Sequence, residues 1–140
     1  MANTDQKDFD IVIVGAGMVG ATLARLLADL PVTIALLDRQ SVAGQQQLPR
    51  DSDFDLRVSA FTPHSRNLLA QVGAWTEQSV FRYCDYIDMH VWDADGTGAI
   101  HFSATELNQP ALGTIAENEL LLHGLHHQLA SQANVKLFAP

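Results

Sequence analysis

A glycine-rich turn, set between an apolar run and a helical pattern, constrains the fold of this chain more than any other feature of its sequence. Residues 15–20 read Gly-Ala-Gly-Met-Val-Gly and have the spacing G-x-G-x-x-G. The run before the turn, residues 9–14, is apolar and rich in β-branched residues, which predicts a buried strand of a parallel sheet. After the turn, large apolar residues recur at three- and four-residue spacing over residues 18–30, which predicts a helix that Pro31 ends.

A second apolar run, residues 32–37, predicts another buried strand, and Asp38 follows at its end. Strand, helix and strand together have the size of one βαβ unit, about 30 residues, which we place at about residues 8–38. In such a unit each glycine has a steric role. Gly15 permits the tight turn, Gly17 lets the backbone approach a pyrophosphate, and Gly20 allows the helix to pack closely on the sheet.

The acidic residue at the end of the second strand completes a dinucleotide-binding pattern. A carboxylate at Asp38 accepts ribose hydroxyls and repels a 2′-phosphate, although the neighbouring Arg39 weakens the second inference. The free N–H groups at the helix N-terminus attract phosphate. The residues predicted to bind the cofactor in this unit are Gly15, Ala16, Gly17, Met18, Val19, Gly20, Asp38 and Arg39. The pattern does not separate FAD from NAD, because both carry the same ADP half.

The rest of the chain carries weaker patterns of the same kinds. They predict an exposed loop over residues 40–55, a helix from Thr62-Pro63 to Gly73, a strand over residues 86–92, and residues 100–102 pairing back across a turn at Asp95-Gly96. They further predict a capping box over residues 114–117, a helix over residues 118–131 and a final strand over residues 135–138. The apolar residues of that helix that we expect to face inward are Leu121, Leu122, Leu125 and Leu129. The predicted fold class is α/β, a Rossmann-like βαβ unit in a mostly parallel sheet with a small antiparallel β-hairpin element.

Composition bears on the partners of the chain, on its redox compartment and on its location. The formal net charge is −8 and only two lysines occur, so the chain is not expected to bind nucleic acid. The single cysteine, Cys84, fits a reducing cytosol, and we expect it to be a half-buried strand residue. We see no signal peptide and no apolar run of about 20 residues, which favours a cytoplasmic location.

Three histidines on the last predicted helix raise the question of a metal site. His123 and His127 are four residues apart, but no acidic residue accompanies them as in H-E-x-x-H. We therefore interpret His123, His126 and His127 as a solvated helix face and predict no metal site. No G-x-S-x-G nucleophile motif occurs either, and no catalytic side chain is assigned in the chain.

Beyond the βαβ unit the sequence resembles the FAD-dependent aromatic hydroxylases of the p-hydroxybenzoate hydroxylase type. It is most similar to the ubiquinone-biosynthesis hydroxylases of the 2-octaprenylphenol hydroxylase group. The segments that carry the resemblance are residues 10–20, 55–60 (Asp-Leu-Arg-Val-Ser-Ala), 68–69, 73–75 (Gly-Ala-Trp), 91–93, 100–102 and 112–118 (Leu-Gly-Thr-Ile-Ala-Glu-Asn).

The resemblance implies two further cofactor contacts. Arg57 matches the arginine that family members place near the FAD pyrophosphate, where a guanidinium can bind two phosphate oxygens. Asn118 matches a polar position that faces the ribityl–phosphate region of the flavin. The alternatives are a surface salt bridge for Arg57 and a plain helix cap for Asn118.

The resemblance also implies an activity for a whole enzyme. NAD(P)H would reduce FAD, and oxygen would then hydroxylate a polyprenylated phenol on the way to ubiquinone, with the flavin carrying the chemistry. The substrate's tail would bring the enzyme to the inner membrane surface, or to a complex of ubiquinone-biosynthesis proteins, without a spanning helix.

The sequence departs from the family mainly in extent. The Gly-Ala-Asp-Gly and Gly-Asp-Ala-x-His segments of the family do not occur, and neither does its substrate-binding part. We therefore expect an incomplete domain, the N-terminal part of an enzyme. We expect these 140 residues to retain FAD weakly or not at all and to be inactive alone.

Two other hypotheses remain open. An NAD-dependent Rossmann dehydrogenase explains the first forty residues equally well, but not the segments around Arg57 and Asn118. A stand-alone nucleotide-binding module without catalysis, or a fragment that self-associates through an uncovered sheet edge, is the non-enzymatic alternative.

Overall fold

A computed structural model describes residues 8–40, 54–76 and 82–140 of the chain. Its strands are β1 (Ile11–Val14), β2 (Ile34–Leu37), β3 (Val58–Phe61), β4 (Tyr83–Tyr86), β5 (Asp88–Trp92), β6 (Ala99–Ser103), β7 (Gly113–Glu117) and β8 (Val135–Phe138). Its helices are α1 (Met18–Leu27), α2 (Pro63–Gln71) and α3 (Asn118–Ala130). None of the helices in these ranges is long and apolar enough to cross a bilayer.

The βαβ unit predicted from the sequence is present. Strands β1 and β2 pair in parallel, with Ile11 opposite Ile34 and Val14 opposite Leu37, and β8 pairs in parallel with the other side of β2. Helix α1 connects the first two strands but ends at Leu27, earlier than predicted. Pro31 drives the residue before it, Leu30, out of the helical conformation, and the Leu30 N–H donates to the Leu27 carbonyl at 3.0 Å in a turn after the helix.

The buried side of α1 consists of small residues. Ala21 and Ala24 are fully buried where the helix lies against β2 and α3. The larger apolar residues Val19, Leu23 and Leu26 instead line a groove that α1 shares with α2. Alanines on the inner side allow the close approach of helix and sheet, so the small residues rather than the large ones position this helix.

A second sheet is antiparallel and has β7 at its centre, between β3 and β4. Helix α2 follows β3 directly. As predicted, the Thr62 hydroxyl accepts a hydrogen bond from the Ser65 N–H at 3.2 Å, and Gly73 ends the helical region with φ +78°. This sheet is larger than the small antiparallel element expected from the sequence, while the α/β fold class itself is confirmed.

The predicted capping box at residues 114–117 is wrong. These residues form strand β7, and the side chain of Glu117 makes no cap for α3. The Thr114 hydroxyl instead donates to the Asp85 carboxylate, and the Glu117 carboxylate binds Arg82. The threonine and glutamate of the T-x-x-E pattern are thus buried polar residues of one strand. Helix α3 begins at Asn118, as predicted.

The region around residues 83–103 also differs from the prediction. The single strand expected over residues 86–92 is two strands, β4 and β5, which separate at Ile87 and belong to different sheets. Cys84 lies in β4, but it is exposed rather than half-buried. Strands β5 and β6 form the expected hairpin, with His90 opposite His101. The predicted loop over residues 40–55 lies almost wholly outside the described residues.

One core joins the two sheets and the helices. It includes Ile34 and Leu36 of β2 and Leu121, Leu125 and Leu129 of α3. The last three were predicted to face inward together with Leu122, which is only partly buried. Helix α3 therefore packs against α1 and β7, and its leucines share one core with the residues of β2.

A buried ion pair holds the start of α3 to the rest of the fold. Arg82 Nε and Nη2 donate to the two Glu117 oxygens at 2.8 and 2.7 Å, and both side chains are 2% exposed. The Asp55 N–H donates to the same carboxylate at 3.0 Å. Fully hydrogen-bonded in this way, the two buried charges offset each other's desolvation.

Replacing Glu117 with glutamine should lower the free energy of unfolding by about 3–5 kcal/mol, because it removes the carboxylate charge that makes two hydrogen bonds with the buried Arg82 guanidinium. Asp29→Asn is the matched control, since it removes the acid of the Arg25–Asp29 pair, which is 19% and 71% exposed. The control should change stability by about 0–1 kcal/mol. Urea denaturation of both variants measures the difference, and equal losses would contradict the role given to the buried pair.

Candidate dinucleotide site

The glycine-rich turn leaves the sheet at the end of β1. Gly15 has φ +102°, a conformation that residues with a side chain rarely adopt, and its N–H donates to the Leu37 carbonyl at 2.7 Å. A methyl group at Gly20 would overlap the Gly15 carbonyl oxygen and lie 3.3 Å from the Ile13 side chain. Both glycines are thus required by the backbone itself, as the spacing predicted.

Gly17 differs from the other two glycines because the space in front of it is open. A methyl group built there would meet no atom within 4 Å. Gly17 is the N-cap of α1, and the first helical hydrogen bond runs from the Ala21 N–H to its carbonyl at 2.9 Å. The N–H groups of residues 18–20 therefore have no partner within the helix, and no acid stands in its first turn. This end of α1 is suited to an anion.

Asp38 lies where the sequence predicted, at the end of β2, and it also holds the turn. Its Oδ2 accepts the Ala16 N–H at 2.7 Å and its Oδ1 accepts the Gln40 N–H at 2.9 Å. These two hydrogen bonds, the one from Gln40 foremost, lower the pKa of the Asp38 carboxyl from its usual value of 3.8, so the group is ionised at neutral pH. Asp38 lines a groove of about 500 Å³ together with Val14, Gly15, Leu37 and Arg39.

A second groove, of about 410 Å³, lies on the other side of the turn. It is lined by Met18, Asp55, Arg57, Asn118, Glu119 and Leu122. The Asn118 N–H donates to the Arg57 carbonyl at 3.0 Å, which brings the two residues predicted from the resemblance to one place beside the turn. The first groove borders the turn at Gly15 and the second borders it at Met18, so the site residues line two grooves along residues 15–20.

The alternatives for Arg57 and Asn118 find no support in the geometry. Arg57 is exposed, and its guanidinium forms no ion pair with any residue that the structure describes. Asn118 is the first residue of α3 rather than its cap, and its buried Oδ1 has no hydrogen-bond donor within the described ranges. An unpaired buried acceptor costs about 1–3 kcal/mol, so this oxygen is suited to a hydroxyl or amide donor from a ligand.

One residue of the site was missed in the sequence. His126 was interpreted as part of a solvated face of α3, but it is partly buried and its Nε2 lies 2.7 Å from the Ala16 carbonyl oxygen. The sequence did hold a signal, because His126 follows Leu122 by four residues and precedes Leu129 by three, which places it near the apolar side of α3. In the described part of the chain, no cluster of three or more metal-binding side chains occurs.

Comparison with known proteins agrees with this geometry. Residues 10–140 match the model of the family described as FAD dependent oxidoreductase. The ubiquinone biosynthesis monooxygenase COQ6 of Xenopus tropicalis is 35% identical over 133 residues, which are 92% of this chain and 28% of that protein. The 3-demethoxyubiquinol 3-hydroxylase of Escherichia coli is 33% identical over 131 residues, 94% of this chain and 32% of that protein.

The fold is shared with solved flavoenzymes. The p-nitrophenol 4-monooxygenase PnpA of Pseudomonas putida superposes with a TM-score of 0.61 at 17% identity, covering 92% of this chain and 31% of that one. The chain spans about a third of the length of the curated relatives it matches. The resemblance stated from the residues is confirmed by these relatives, and since the family model covers nearly all of the sequence, the chain belongs to the FAD-dependent oxidoreductases.

Proposed function

We propose that this chain forms the ADP-binding part of the FAD site in a monooxygenase that hydroxylates a polyprenylated phenol in ubiquinone biosynthesis, with NAD(P)H as reductant. The observation that carries the proposal is the groove that joins Met18 of the turn to Arg57 and Asn118. A groove with a cation and an unpaired acceptor next to the phosphate-binding turn suits a cofactor that extends beyond ADP on that side.

The turn would hold the pyrophosphate through backbone groups. The free N–H groups at the start of α1 and the positive end of its dipole favour a dianion, and the missing side chain at Gly17 leaves room for it. On one side of the turn, the Asp38 groove would take the adenosine. The carboxylate there is already hydrogen-bonded to Ala16, and its remaining lone pairs are available to ribose hydroxyls.

On the other side of the turn, the second groove would take the ribityl chain. The Arg57 guanidinium would bind phosphate oxygens, and the Asn118 amide oxygen would accept a hydrogen bond from a ribityl hydroxyl. Bound FAD supplies the electron transfer from NAD(P)H and the activation of oxygen. The residues of this chain bind and orient it, and none of the described side chains is assigned a proton transfer.

The substrate class is inferred from the relatives. Two of them are named for ubiquinone biosynthesis and for hydroxylation of a ubiquinol precursor. We infer that a phenol with a polyprenyl tail is the substrate, that the protein acts in the cytoplasm, and that the tail brings it to the inner membrane surface. The protein as its source cell produces it, supplied with FAD, NADH or NADPH and a prenylated phenol, should add one oxygen atom to the phenol. Mass spectrometry of the product tests this, and unchanged phenols would contradict the assigned activity.

Cofactor choice is tested by titrating the chain with FAD, NAD and ADP. Asn118→Ala should weaken FAD binding about 3–10-fold, the value of one hydrogen bond, and leave ADP binding unchanged because ADP has no ribityl chain. Asn67→Ala, at an exposed position of α2, is the control and should change neither affinity. Tighter binding of NAD than of FAD would favour the dehydrogenase hypothesis. A chain that binds ADP and FAD equally, with or without Asn118, would favour a nucleotide-binding module.

Substitutions at two glycines of the turn should separate an effect on cofactor binding from an effect on stability. Gly17→Ala places a methyl group in the open space of the site, so FAD affinity should fall at least tenfold while stability changes by less than about 1 kcal/mol. Gly20→Ala should lower the free energy of unfolding by about 1–3 kcal/mol, because its methyl group overlaps the Gly15 carbonyl. Denaturation and FAD titration of both variants measure the two effects. Loss of stability in Gly17→Ala equal to that in Gly20→Ala would contradict the assignment.

A further inference from the structure

His126 connects the last helix to the dinucleotide turn. Its Nε2 lies 2.7 Å from the Ala16 carbonyl oxygen, across 110 residues of sequence, and Ala16 is 2% exposed. The contact is part-buried, at the place where α3 packs against α1. A neutral imidazole with its proton on Nε2 donates this hydrogen bond, because a carbonyl oxygen can only accept one.

Hydrogen bonds hold both peptide groups that flank the Cα atom of Ala16. The Ala16 N–H is bound by Asp38 Oδ2 at 2.7 Å, and the Ala16 carbonyl is bound by His126. These groups belong to two successive peptide planes. The plane that carries the Ala16 carbonyl also carries the Gly17 N–H, and in a trans peptide the two point in opposite directions. A hydrogen bond that fixes the carbonyl therefore fixes the direction of the Gly17 N–H.

The Gly17 N–H has no acceptor among the residues that the structure describes, and the space around Gly17 is open. We propose that His126 is a positioning residue of the dinucleotide site: its hydrogen bond to the Ala16 carbonyl orients the Gly17 N–H toward the pyrophosphate of the cofactor. The inference rests on the proposed function, and it adds to that function a support for the turn that comes from α3 rather than from the βαβ unit.

The surroundings of His126 favour its neutral form, in which a proton on Nε2 still donates to the Ala16 carbonyl. Its Nδ1 is buried and has no hydrogen-bond partner within the described ranges, so a second proton would create a buried N–H without an acceptor. Burial lowers the pKa of His126 below its usual 6.5. The Ala16 carbonyl and the charge of Asp38 oppose the shift, and His123 adds to it. The first turn of α1 carries no acid that would stabilise the imidazolium.

The sign of the pH dependence follows from the lowered pKa. The unfolded chain binds a proton at His126 near pH 6.5, whereas the folded chain does so only at lower pH. The stability contributed by neutral His126 is therefore fully present above pH 6.5 and is lost as pH falls from there toward the lowered pKa. A variant without the imidazole should lose this part of the pH dependence.

The test compares His126→Gln, whose amide N–H can replace the Nε2 donor, with His126→Leu, which cannot donate. His127→Leu, at the exposed neighbouring position, is the control. ADP affinity should fall about 5–10-fold in His126→Leu and stay within about threefold of the unsubstituted chain in His126→Gln. Amide exchange of Ala16, measured by NMR without ligand, should become faster in His126→Leu alone.

The rescue of ADP affinity by glutamine is the result that a purely structural role of the ring would not give, and nitrogen chemical shifts of His126 test whether Nε2 is the donor. They should report the tautomer with the proton on Nε2 at pH 7 and a pKa of His126 below its usual 6.5. Equal losses of ADP affinity in the glutamine and leucine variants, or no loss in either, would overturn the positioning role. If the unsubstituted chain binds neither ADP nor FAD, the proposed function fails, and Ala16 exchange and the tautomer alone decide whether His126 positions the turn.

Discussion

The arrangement of the second groove depends on the carboxylate of Glu117. Strand β7 passes into α3 at this residue, so the last side chain of the strand and the first residue of the helix are adjacent. The carboxylate binds Arg82 with two hydrogen bonds and the Asp55 N–H with a third. That third bond holds the segment before β3 at the start of α3, and the Asn118 N–H then reaches the Arg57 carbonyl. The ion pair thereby places one cation and one unpaired acceptor beside the turn.

The parts of the fold that were predictable are those determined by neighbours in sequence. The βαβ unit follows from apolar runs of the right length, and two of its glycines are required by the conformation of a six-residue turn. The Thr62 cap and the end of α2 near Gly73 are equally local. In each case a side chain, or the lack of one at glycine, affects the backbone within a few residues. The local sequence pattern is therefore enough to predict the structure there.

Two of the predictions that were wrong concern partners distant in sequence. Thr114 and Glu117 have the spacing of a capping box, but Arg82 lies 35 residues from Glu117 and Asp85 lies 29 residues from Thr114. The Glu117 carboxylate binds the buried Arg82 guanidinium rather than the start of α3, because breaking a buried ion pair costs more than leaving a helix N-terminus uncapped. The contact of His126 with the Ala16 carbonyl likewise joins residues that are 110 positions apart. The residues next to His126 in the sequence do not indicate that its side chain lies beside a backbone carbonyl of the turn.

The electrostatics of the site depend on backbone N–H groups as well as on charged side chains. The chain carries a formal net charge of −8, and Asp55 and Glu119 line the groove that would receive phosphate or ribityl oxygens. The attraction for a pyrophosphate must therefore come from the N–H groups at the start of α1, its dipole and the Arg57 guanidinium. The effect of these dipoles falls off within about the first turn of the helix, and it depends on the direction in which the N–H groups point. On the proposed function, the contacts from Asp38 and His126 that orient the Ala16 and Gly17 peptides set the direction in which these N–H groups act on the anion.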